Sequence, residues 1–217
     1  MRRGHSTLGI DFASERTERQ PSAYRGSLPA KHSGYEIPPR GSASMLQITH
    51  AATDEQFKQV WQLRAEMGRW DADQAQQLGL DPAEVLAFFY PTDDPASLCA
   101  NAPPEGEWLL ATYAGKAAGC GAFRRIDANT CELQYVYVRD EFRGNRIGRL
   151  MVEQLVAKAR DVGYKVMRLE TTTFMKEARA LYASIGFRPR GPYYEVPKVF
   201  EPFTVFMELT LGLPDVR

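Results

Sequence analysis

The sequence predicts a single domain of the α/β (α+β) class, with a mixed, mostly antiparallel twisted sheet that carries helices on both faces. From Met45 onward, strand-like and helix-like segments follow one another in the order β-α-α-β-β-β-α-β-α-β-β. The three successive strands in the middle are joined by short turns, which is typical of an antiparallel meander. The later strands alternate with amphipathic helices, and such helices bury their apolar sides against a sheet.

The first elements are a strand and two helices. "MLQITHA" alternates apolar and polar residues, as a half-buried strand does. Thr53 and Gln56 have the spacing of a capping box, which predicts a helix that continues to about Met67. Asp81 followed by Pro82 predicts an N-cap and a proline at the first helical position, so a second helix begins there and includes "AEVLAFFY".

The later elements are a meander and two helix–strand units. "EWLLATYA", "AAGCGAFRRI" and "CELQYVYV" are the three strands of the meander. The periodicity predicts a helix from about Ile147 to Val162, the strand "KVMRLET", and a helix from about Phe174 to Ile185 that ends at Gly186. "TVFMELTL" is the last strand.

Residues 1–44 differ from the rest of the chain. They are rich in Ser, Arg, Pro and Gly and have almost no aliphatic periodicity, so they cannot bury enough apolar surface to offset the entropy of ordering. We expect a disordered N-terminal extension, or an expression scar ahead of a natural start at Met45. A basic regulatory arm is the alternative. Residues 45–217 then form the folded domain.

Composition excludes several classes of partner. Lys+Arg and Asp+Glu both total 27, so no net charge attracts nucleic acid or an anionic membrane. No run of about 18 apolar residues and no signal-like start is present, which favours a cytoplasmic protein. Three cysteines, without C-x-x-C spacing and in apolar stretches, indicate buried thiols. No set of His, Cys, Asp or Glu has metal-site spacing, so we expect no metal and assign no role to the histidines. The cysteines are Cys99, Cys120 and Cys131, and the histidines are His5, His32 and His50.

The stretch "DEFRGNRIGRLM" (140–151) places positive charge where a strand ends and a helix begins. The first N–H groups of a helix lack intrahelical acceptors, and the helix dipole adds partial positive charge. Gly144 and Gly148 permit close approach of the backbone, and Arg143, Arg146 and Arg149 add donors. These properties suit a phosphate or pyrophosphate, although an exposed turn with helix-end arginines has the same composition. The fingerprints of nucleotide triphosphate and dinucleotide loops are absent.

A resemblance to a known family follows from three stretches in this order. "CELQYVYVRDEFRGNRIGRLMVEQLV", "RLETTTFMKEARALYASIGF" and "VFMELTL" together resemble the GNAT family of N-acetyltransferases over roughly residues 46–211. The resemblance implies the acyl-CoA N-acyltransferase fold and an acetyltransferase domain at 45–217. It further implies acetyl transfer from acetyl-CoA to a primary amine of a small molecule or peptide, by direct attack through a tetrahedral intermediate.

The resemblance also implies which residues contact acetyl-CoA. The family's pyrophosphate loop, R/Q-x-x-G-x-G/A, begins at Arg143, and Arg146 occupies its first glycine position. An arginine with negative φ there would still present its amide. The pantetheine arm is expected along the end of "YVYV", where the Val138 N–H is the expected oxyanion donor. The expected contacts are Val136, Tyr137, Val138, Arg143, Gly144, Asn145, Arg146, Ile147, Gly148 and Arg149.

Glu132 and Tyr182 are the catalytic candidates. Glu132 lies six residues before Val138, the spacing of the catalytic glutamate in similar histone-type members, so we expect a general base that acts directly or through water. That role requires burial to raise its pKa, and a solvent-exposed or arginine-paired glutamate is the alternative. Tyr182 in "LYASIGF" matches the family's tyrosine that protonates the CoA thiolate, although its periodicity also fits a core residue.

The acceptor and the neighbouring contacts stay open. Met175 occupies the place of a common asparagine, and Lys176 and Arg179 either meet CoA phosphates or are solvated helix residues. Three segments are candidates to border the acceptor: 61–90, the acidic "TDDPASLCANAPPEGE", and "RPRGPYYEVPKVFEP" with its adjacent tyrosines. Acidic residues in the first two segments favour a cationic amine or form an ordinary solvated face. The alternative function is a non-catalytic acyl-CoA-binding or partner-binding module, and a homodimer through the last strand is possible.

Overall fold

The structure is a computed structural model that describes residues 45–91 and 94–212. The extension expected at residues 1–44 lies outside the described residues, as do His5 and His32. Of the domain expected at 45–217, residues 92–93 and 213–217 are likewise outside the described part.

The order of strands and α-helices predicted from the sequence is confirmed. The elements are β1 (Leu46–His50), α1 (Asp54–Gln77), α2 (Pro82–Phe89), β2 (Glu107–Tyr113), β3 (Lys116–Arg125), β4 (Thr130–Val138), α3 (Ile147–Val162), β5 (Val166–Thr172), α4 (Lys176–Ile185), β6 (Arg188–Arg190) and β7 (Thr204–Thr210). Short 3-10 helices form at Pro95–Asn101 and Asp140–Phe142.

The seven strands form one sheet in the order β1-β2-β3-β4-β5-β7-β6. Every neighbouring pair is antiparallel except β4 and β5, which confirms the mixed, mostly antiparallel sheet. The parallel β4–β5 ladder is short and ends at the pair Leu133 and Leu169. Both strands continue beyond that pair, to Val138 and Thr172, so an unpaired space opens between their carboxyl ends. We call this space the β4–β5 gap.

A β-bulge in β4 accompanies this separation. Gln134 pairs with Ala122 and Tyr137 pairs with Cys120, so β4 has one more residue than β3 between these two pairs. Tyr135 lies in the bulge with φ 56°, a left-handed backbone that is uncommon for a bulky residue. Bulges bend the strand that carries them, which accounts for the departure of β4 from β5.

Each face of the sheet is covered by its own helices. On one face, α3 and α4 enclose the largest apolar cluster, which includes Leu133 of β4, Leu155 of α3 and Tyr182 of α4. On the other face, α1 packs Val60 and Leu63 with Trp108 and Cys120 of the sheet. We call these the α3–α4 face and the α1–α2 face. Helices on both faces were predicted from the sequence.

A third apolar cluster joins α2 to the segment between β6 and β7. Val85 of α2 and Leu80 just before α2 are buried together with Phe200, and Phe88 and Phe89 pack their rings against Phe200 at centroid distances of 5.5 and 5.4 Å. This segment, residues 191–203, is called the connector. It lies with α2 in this cluster, so two of the segments expected to border the acceptor are adjacent.

Helix α1 is ten residues longer than the sequence predicted, because it continues past Met67 to Gln77. Its buried positions after Met67 are occupied by Gly68, Asp71, Ala72 and Ala75, none of which is large and apolar. The apolar pattern therefore stops at Met67, although the helix continues. Gly68 packs closely against Tyr90: a Cβ there would lie 3.3 Å from the Tyr90 ring, which would have to shift slightly.

Two smaller expectations are also corrected. Helix α4 begins at Lys176 rather than Phe174, since Met175 is its N-cap with φ −78° and ψ 61°. Cys120 and Cys131 are buried as expected, and burial raises the pKa of both thiols to about 12. Cys99 is exposed in the 3-10 helix, so the expectation of a buried thiol is wrong there.

The last strand does not form an edge of the sheet. β7 pairs with β5 on one side and β6 on the other, and β6 is the edge. Pairing of two copies through β7 is therefore blocked by strands of the same chain, which corrects that part of the homodimer expectation. Across the described residues no helix has the length and apolar character needed to span a membrane.

Candidate active site

The carboxyl end of β4 directs a backbone N–H group into the β4–β5 gap. The Arg139 N–H donates to the carbonyl of Ala118, near the start of β3, at 2.9 Å. Since successive N–H groups of an extended strand point to opposite edges, the Val138 N–H points away from β3 and towards β5. β5 no longer pairs with β4 at this height, because their ladder ends at Leu133 and Leu169.

The side chain of Arg139 holds α1 against this end of β4. Its Nε and Nη2 atoms donate to the two carboxylate oxygens of Glu66 in α1, both at 2.7 Å. Its Nη1 atom donates to the Ala117 carbonyl, also at 2.7 Å. Two parallel bonds to one carboxylate fix orientation as well as distance. The second half of α1 is thereby positioned beside the gap.

The loop that leads from β4 to α3 presents the first turn of α3. The Asn145 side-chain amide donates to the Phe142 carbonyl at 3.0 Å and so holds the loop together. Gly144 has φ 85° and no described atom near the position of a Cβ. α3 begins at Ile147, and the N–H groups of its first turn have no intrahelical acceptor. These groups, with the positive end of the helix dipole, have the properties of an anion site.

Arg146 has a left-handed backbone, which corrects the expectation of a negative φ. It is the N-cap of α3 with φ 60° and ψ 12°. Glycine adopts this conformation freely, whereas the Cβ of another residue costs about 1–2 kcal/mol. The loop therefore follows the path that a glycine would allow. Among the described residues, no acidic side chain forms an ion pair with the Arg146 guanidinium.

The other two arginines of the loop already have partners. Arg143 forms an ion pair with Asp140 at 2.8 Å, and its guanidinium lies 5.5 Å from the ring centroid of Trp70 in α1. Its Nε atom donates to the Val138 carbonyl at 3.2 Å. The structure thus places Arg143 directly beside the end of β4 and the second half of α1.

Arg149 connects α3 to α4 instead of pointing freely towards solvent. It pairs with Glu153 at 3.2 Å and donates to Ser184 Oγ at 2.6 Å. Gly148 lies where these helices approach β4: a Cβ there would be 3.7 Å from Leu181 and 3.8 Å from Val138. The first turn of α3, α4 and the end of β4 therefore meet at Gly148.

Glu132 is buried on the α1–α2 face and is surrounded by hydrogen-bond donors. Its Oε2 atom accepts from Arg124 Nε at 2.9 Å and from Gln134 Nε2 at 2.8 Å. The same oxygen forms an ion pair with Arg124 Nη2 at 2.8 Å. Its Oε1 atom accepts from the Tyr193 hydroxyl at 2.6 Å. The burial that the base hypothesis requires is present, and so is the arginine partner of the alternative hypothesis.

Glu132 belongs to a row of alternating charges across four strands. Arg124 of β3 is in register with Glu132 of β4, Glu132 with Arg168 of β5, and Arg168 with Glu208 of β7. Arg168 forms an ion pair with Glu208 at 2.9 Å. Opposite charges on neighbouring strands stabilise a sheet, so a structural role accounts for much of this row.

Tyr193 of the connector covers this row. Arg168 and Arg190 lie 5.5 and 5.2 Å from its ring centroid, and Phe206 packs at 5.0 Å. Burial, followed by the charge of Glu132 and the hydrogen bond to it, raises the pKa of the Tyr193 hydroxyl. Tyr193 therefore stays protonated at neutral pH and donates to Glu132.

Tyr182 lies in α4 with its ring in the apolar cluster of the α3–α4 face. Its ring packs edge-on against Phe187 at 5.8 Å, and it is 7% exposed. Burial, and after it the negative charge of Asp71, raises the pKa of the Tyr182 hydroxyl. Asp71 belongs to α1, on the other face of the sheet. The charge of Asp71 therefore affects the pKa of Tyr182 from the other face of the sheet.

Asp71 lies in the first candidate acceptor segment, and no individual role was predicted for it from sequence. It is 9% exposed, and its Oδ2 atom accepts a hydrogen bond from the Tyr90 hydroxyl. Its Oδ1 atom is buried without a hydrogen-bond partner among the described residues. Burial raises the pKa of the Asp71 carboxyl to about 7, and the Tyr90 hydrogen bond opposes that shift.

A signal for Asp71 was present in the sequence. It lies three residues after Gly68 and four before Ala75, so it shares a helical stripe with two small residues. A carboxylate on a buried stripe is costly unless it is paired or functional. The signal was hidden because the helix was expected to end at Met67.

The structure brings parts of all three candidate acceptor segments to the α1–α2 face. Asp71 and Tyr90 come from the first segment and Tyr193 from the connector. Asn101, from the 3-10 helix of the acidic segment, donates to Gln134 Oε1 at 3.1 Å. Gln134 in turn donates to Glu132, which accepts from Tyr193, so hydrogen bonds through β4 join the acidic segment to the connector.

Lys176 and Arg179 lie elsewhere on α4. Together with Arg188 they border a pocket of about 360 Å³ between α4 and the strands β6 and β7. Arg179 donates to the Thr173 carbonyl at 3.3 Å. Leu181, the α4 residue nearest to Gly148 of α3, is not among the residues that line this pocket. The two cations therefore border a surface different from the loop before α3.

Comparison with known proteins agrees with this geometry. The model of the acetyltransferase (GNAT) family matches residues 65–187, more than half of the chain. The chain belongs to the GNAT family of acetyltransferases. An uncharacterized N-acetyltransferase of Schizosaccharomyces pombe is 36% identical over 112 residues, which are 51% of this chain and 67% of that protein.

Solved structures show the same fold. A Klebsiella pneumoniae protein assigned as an acyl-CoA N-acyltransferase is 28% identical, with a TM-score of 0.57 over 77% of this chain and 99% of that chain. The YncA protein of Salmonella typhimurium, solved with its cofactor acetyl-CoA, is 20% identical, with a TM-score of 0.54 over 80% of this chain and 98% of that one. The acyl-CoA N-acyltransferase fold expected from the sequence is thus confirmed.

Proposed function

We propose that this protein transfers the acetyl group of acetyl-CoA to a primary amine of a small molecule or peptide, by direct attack through a tetrahedral intermediate. One observation carries the proposal: the Val138 N–H enters the β4–β5 gap from the strand whose end leads directly into the first turn of α3. A donor for an acyl oxyanion and a site for a diphosphate are therefore held by consecutive elements.

The loop before α3 would bind the diphosphate of acetyl-CoA. The N–H groups of Ile147, Gly148 and Arg149 supply hydrogen bonds, and the Arg146 guanidinium, free of described acidic partners, supplies charge. Gly144, Asn145 and Arg143 shape and border the loop. The acetyl-CoA bound to the YncA protein supports this role by analogy of fold.

The β4–β5 gap would hold the pantetheine arm and the thioester. Val136, Tyr137 and Val138 supply the edge of β4 that faces this space. The Val138 N–H would stabilise the negative charge that develops on the thioester oxygen when the amine attacks, as preorganised backbone donors do in acyl transfer. Because the donor is a backbone group, substitution of the Val138 side chain tests it poorly.

Tyr182 would protonate the departing CoA thiolate. The raised pKa of its hydroxyl ensures that it carries a proton at neutral pH. A thiol has a pKa of about 8.5, so thiolate is a fair leaving group and the acid contributes tenfold to a hundredfold rather than all of the activity.

Attack also requires removal of a proton from the acceptor. An alkyl amine of pKa about 10.4 is neutral in only about one molecule in 2,500 at pH 7. Glu132 is the candidate base from the sequence, and it lies on the α1–α2 face with the acceptor segments. Its hydrogen bonds to Arg124, Gln134 and Tyr193 make a positioning role equally compatible with the geometry.

A coupled binding and turnover experiment tests the proposal. Calorimetry at moderate salt should detect acetyl-CoA binding, and thiol detection should show CoA release that depends on a member of a panel of primary amines. Mass spectrometry should identify the acetylated amine. Tight binding of acetyl-CoA without release of CoA for any amine would indicate a non-catalytic acyl-CoA-binding module, and absence of binding would refute the diphosphate site.

A further inference from the structure

Asp71 has one carboxylate oxygen that the protein leaves without a hydrogen bond. Within residues 45–91 and 94–212, the buried side-chain atoms without a partner are Asp71 Oδ1 and Thr172 Oγ1. A buried carboxylate oxygen without a hydrogen bond loses its hydration without compensation, which lowers the stability of the folded protein. It is explained if a donor on a bound molecule completes the site.

Thr172 lies at the β4–β5 gap, and the neighbours of Asp71 place that residue on the same side of the sheet. Thr172 is the last residue of β5, and by the alternation of side chains along the strand it shares the α1–α2 face with Arg168. Asp71 follows Trp70, whose ring contacts Arg143 of the loop after β4. The charge of Asp71 also reaches the hydroxyl of Tyr182 from the opposite face.

We infer that Asp71, through Oδ1, accepts the proton that the ammonium group of the acceptor must lose before it attacks the thioester. The inference rests on the proposed function and names the group that performs its first step. Tyr90 holds the other oxygen, Oδ2, and so orients the carboxylate towards the acceptor.

The proton transfers balance. The ammonium gives one proton to the Asp71 carboxylate, which becomes a neutral carboxyl, and the amine lone pair forms the C–N bond. The C–S bond then breaks, and its electron pair leaves with sulfur. Tyr182 gives its proton to that sulfur and regains one from the nitrogen of the new amide. Asp71 finally returns its proton to solvent.

Asp71 suits this task better than Glu132 does. Glu132 accepts three hydrogen bonds and forms an ion pair with Arg124, whereas the described residues offer Asp71 one hydrogen bond and no ion pair. A carboxyl of pKa about 7 is also a stronger base than an ordinary aspartate by three pKa units. That difference makes proton removal from an ammonium about a thousandfold more favourable.

The groups around the pair of Asp71 and Tyr90 come from four elements. Tyr90, at the end of α2, donates to it, and Tyr182 of α4 responds to its charge. The Arg64 guanidinium of α1 lies 5.7 Å from the ring centroid of Tyr90 and 4.9 Å from that of Tyr135 in β4. The positive charge of Arg64 therefore lies over the rings of Tyr90 and Tyr135.

The experiment compares pH profiles of kcat/KM with an accepted alkyl amine. Wild type should lose activity below about pH 7, where Asp71 becomes protonated. Asp71→Asn should lose this limb, fall about a hundredfold to a thousandfold near pH 7.5, and recover tenfold for each pH unit as the free amine appears. Tyr90→Phe removes the hydrogen bond that lowers the pKa of Asp71, so the limb should move to higher pH.

The controls separate this inference from the proposed function. Asp73→Asn removes the same charge at an exposed position of α1 and should keep the wild-type profile. Glu132→Gln should keep the limb near pH 7. An alkoxyamine or hydrazide acceptor, already neutral at pH 7.5, should suffer much less from Asp71→Asn than an alkyl amine.

The possible results distinguish failure of the Asp71 inference from failure of the proposed function. If wild type turns over and the limb persists in Asp71→Asn, or disappears in Glu132→Gln instead, the inference is wrong while the proposed function stands. If wild type binds acetyl-CoA but acetylates no amine, both fail together. Should Asp71→Asn not fold, an unmoved limb in Tyr90→Phe overturns the inference by itself.

Discussion

The hydroxyl of Tyr193 donates a hydrogen bond of 2.6 Å to Oε1 of Glu132, which joins the connector to the central strand β4. This bond completes the set of donors around a buried carboxylate whose other oxygen is occupied by Arg124 and Gln134. Glu132 is therefore part of what holds the connector on the α1–α2 face.

Removal of this hydroxyl should loosen the connector. Tyr193→Phe keeps the ring contacts with Phe206 but removes a hydrogen bond to a charged acceptor, so the free energy of unfolding should fall by about 1–2 kcal/mol. Denaturant unfolding measures the change. Tyr194→Phe is the matched control, because its ring packs on the same Phe206 at 5.2 Å. Equal losses in the two variants would show that the Tyr193–Glu132 bond contributes nothing measurable.

Tyr182→Phe should lower kcat by about tenfold to a hundredfold with little change in the KM for acetyl-CoA, because an acid for the thiolate is lost while the binding loop is intact. Steady-state thiol release measures both constants. The raised pKa of Tyr182 also means that its ionisation should produce no limb below about pH 10 in the wild-type profile. A variant with normal kcat would leave Tyr182 as a core residue only.

Arg146 offers a test of backbone strain separate from charge. Arg146→Gly should relieve the left-handed conformation and raise the free energy of unfolding by about 1 kcal/mol. Arg146→Ala should keep the strain. Both variants lose the guanidinium, so both should bind acetyl-CoA about threefold to tenfold more weakly, with less dependence on salt. If the two variants are equally stable, the left-handed backbone at this position is not a source of strain.

Asp71 should make stability depend on pH. Its folded-state pKa of about 7 lies above the usual 3.8, so the carboxyl stabilises the fold fully below about pH 4, and this contribution is lost as the pH rises to 7. The complete loss corresponds to about 4 kcal/mol. Asn does not ionise, so the stability of Asp71→Asn relative to wild type should increase between about pH 4 and 7 and then level off.

Urea unfolding at a series of pH values measures this difference. Asp73→Asn, with the same change of charge on an exposed part of α1, should show no such trend. A difference between Asp71→Asn and wild type that is constant with pH would mean that Asp71 ionises as an ordinary aspartate.

Most of the fold follows from local sequence. Capping at Thr53 and Asp81, the meander and the stripes of α3 and α4 determine the order of elements, because each depends on neighbours in the chain. The length of α1 does not follow from local sequence, since the buried face of α1 after Met67 consists of small residues and Asp71. Gly68 and Asp71 are explained by their contacts with Tyr90, which follows the end of α2.

The candidate site likewise has parts that local sequence predicts and parts that it does not. The loop before α3 is contiguous, so its residues were found from sequence, whereas the conformation of Arg146 depends on the path between β4 and α3. The environment of Glu132 requires Tyr193, which is 61 residues distant. The relation of Asp71 to Tyr182 crosses the sheet, and no local pattern encodes it.

A crystal structure of the protein with acetyl-CoA tests the central claim most directly. We predict the diphosphate within about 2.7–3.2 Å of N–H groups in the first turn of α3, and the thioester oxygen at the same distance from the Val138 N–H. Acetyl-CoA bound elsewhere, such as in the pocket between α4 and β6–β7, or a thioester outside the β4–β5 gap, would contradict it.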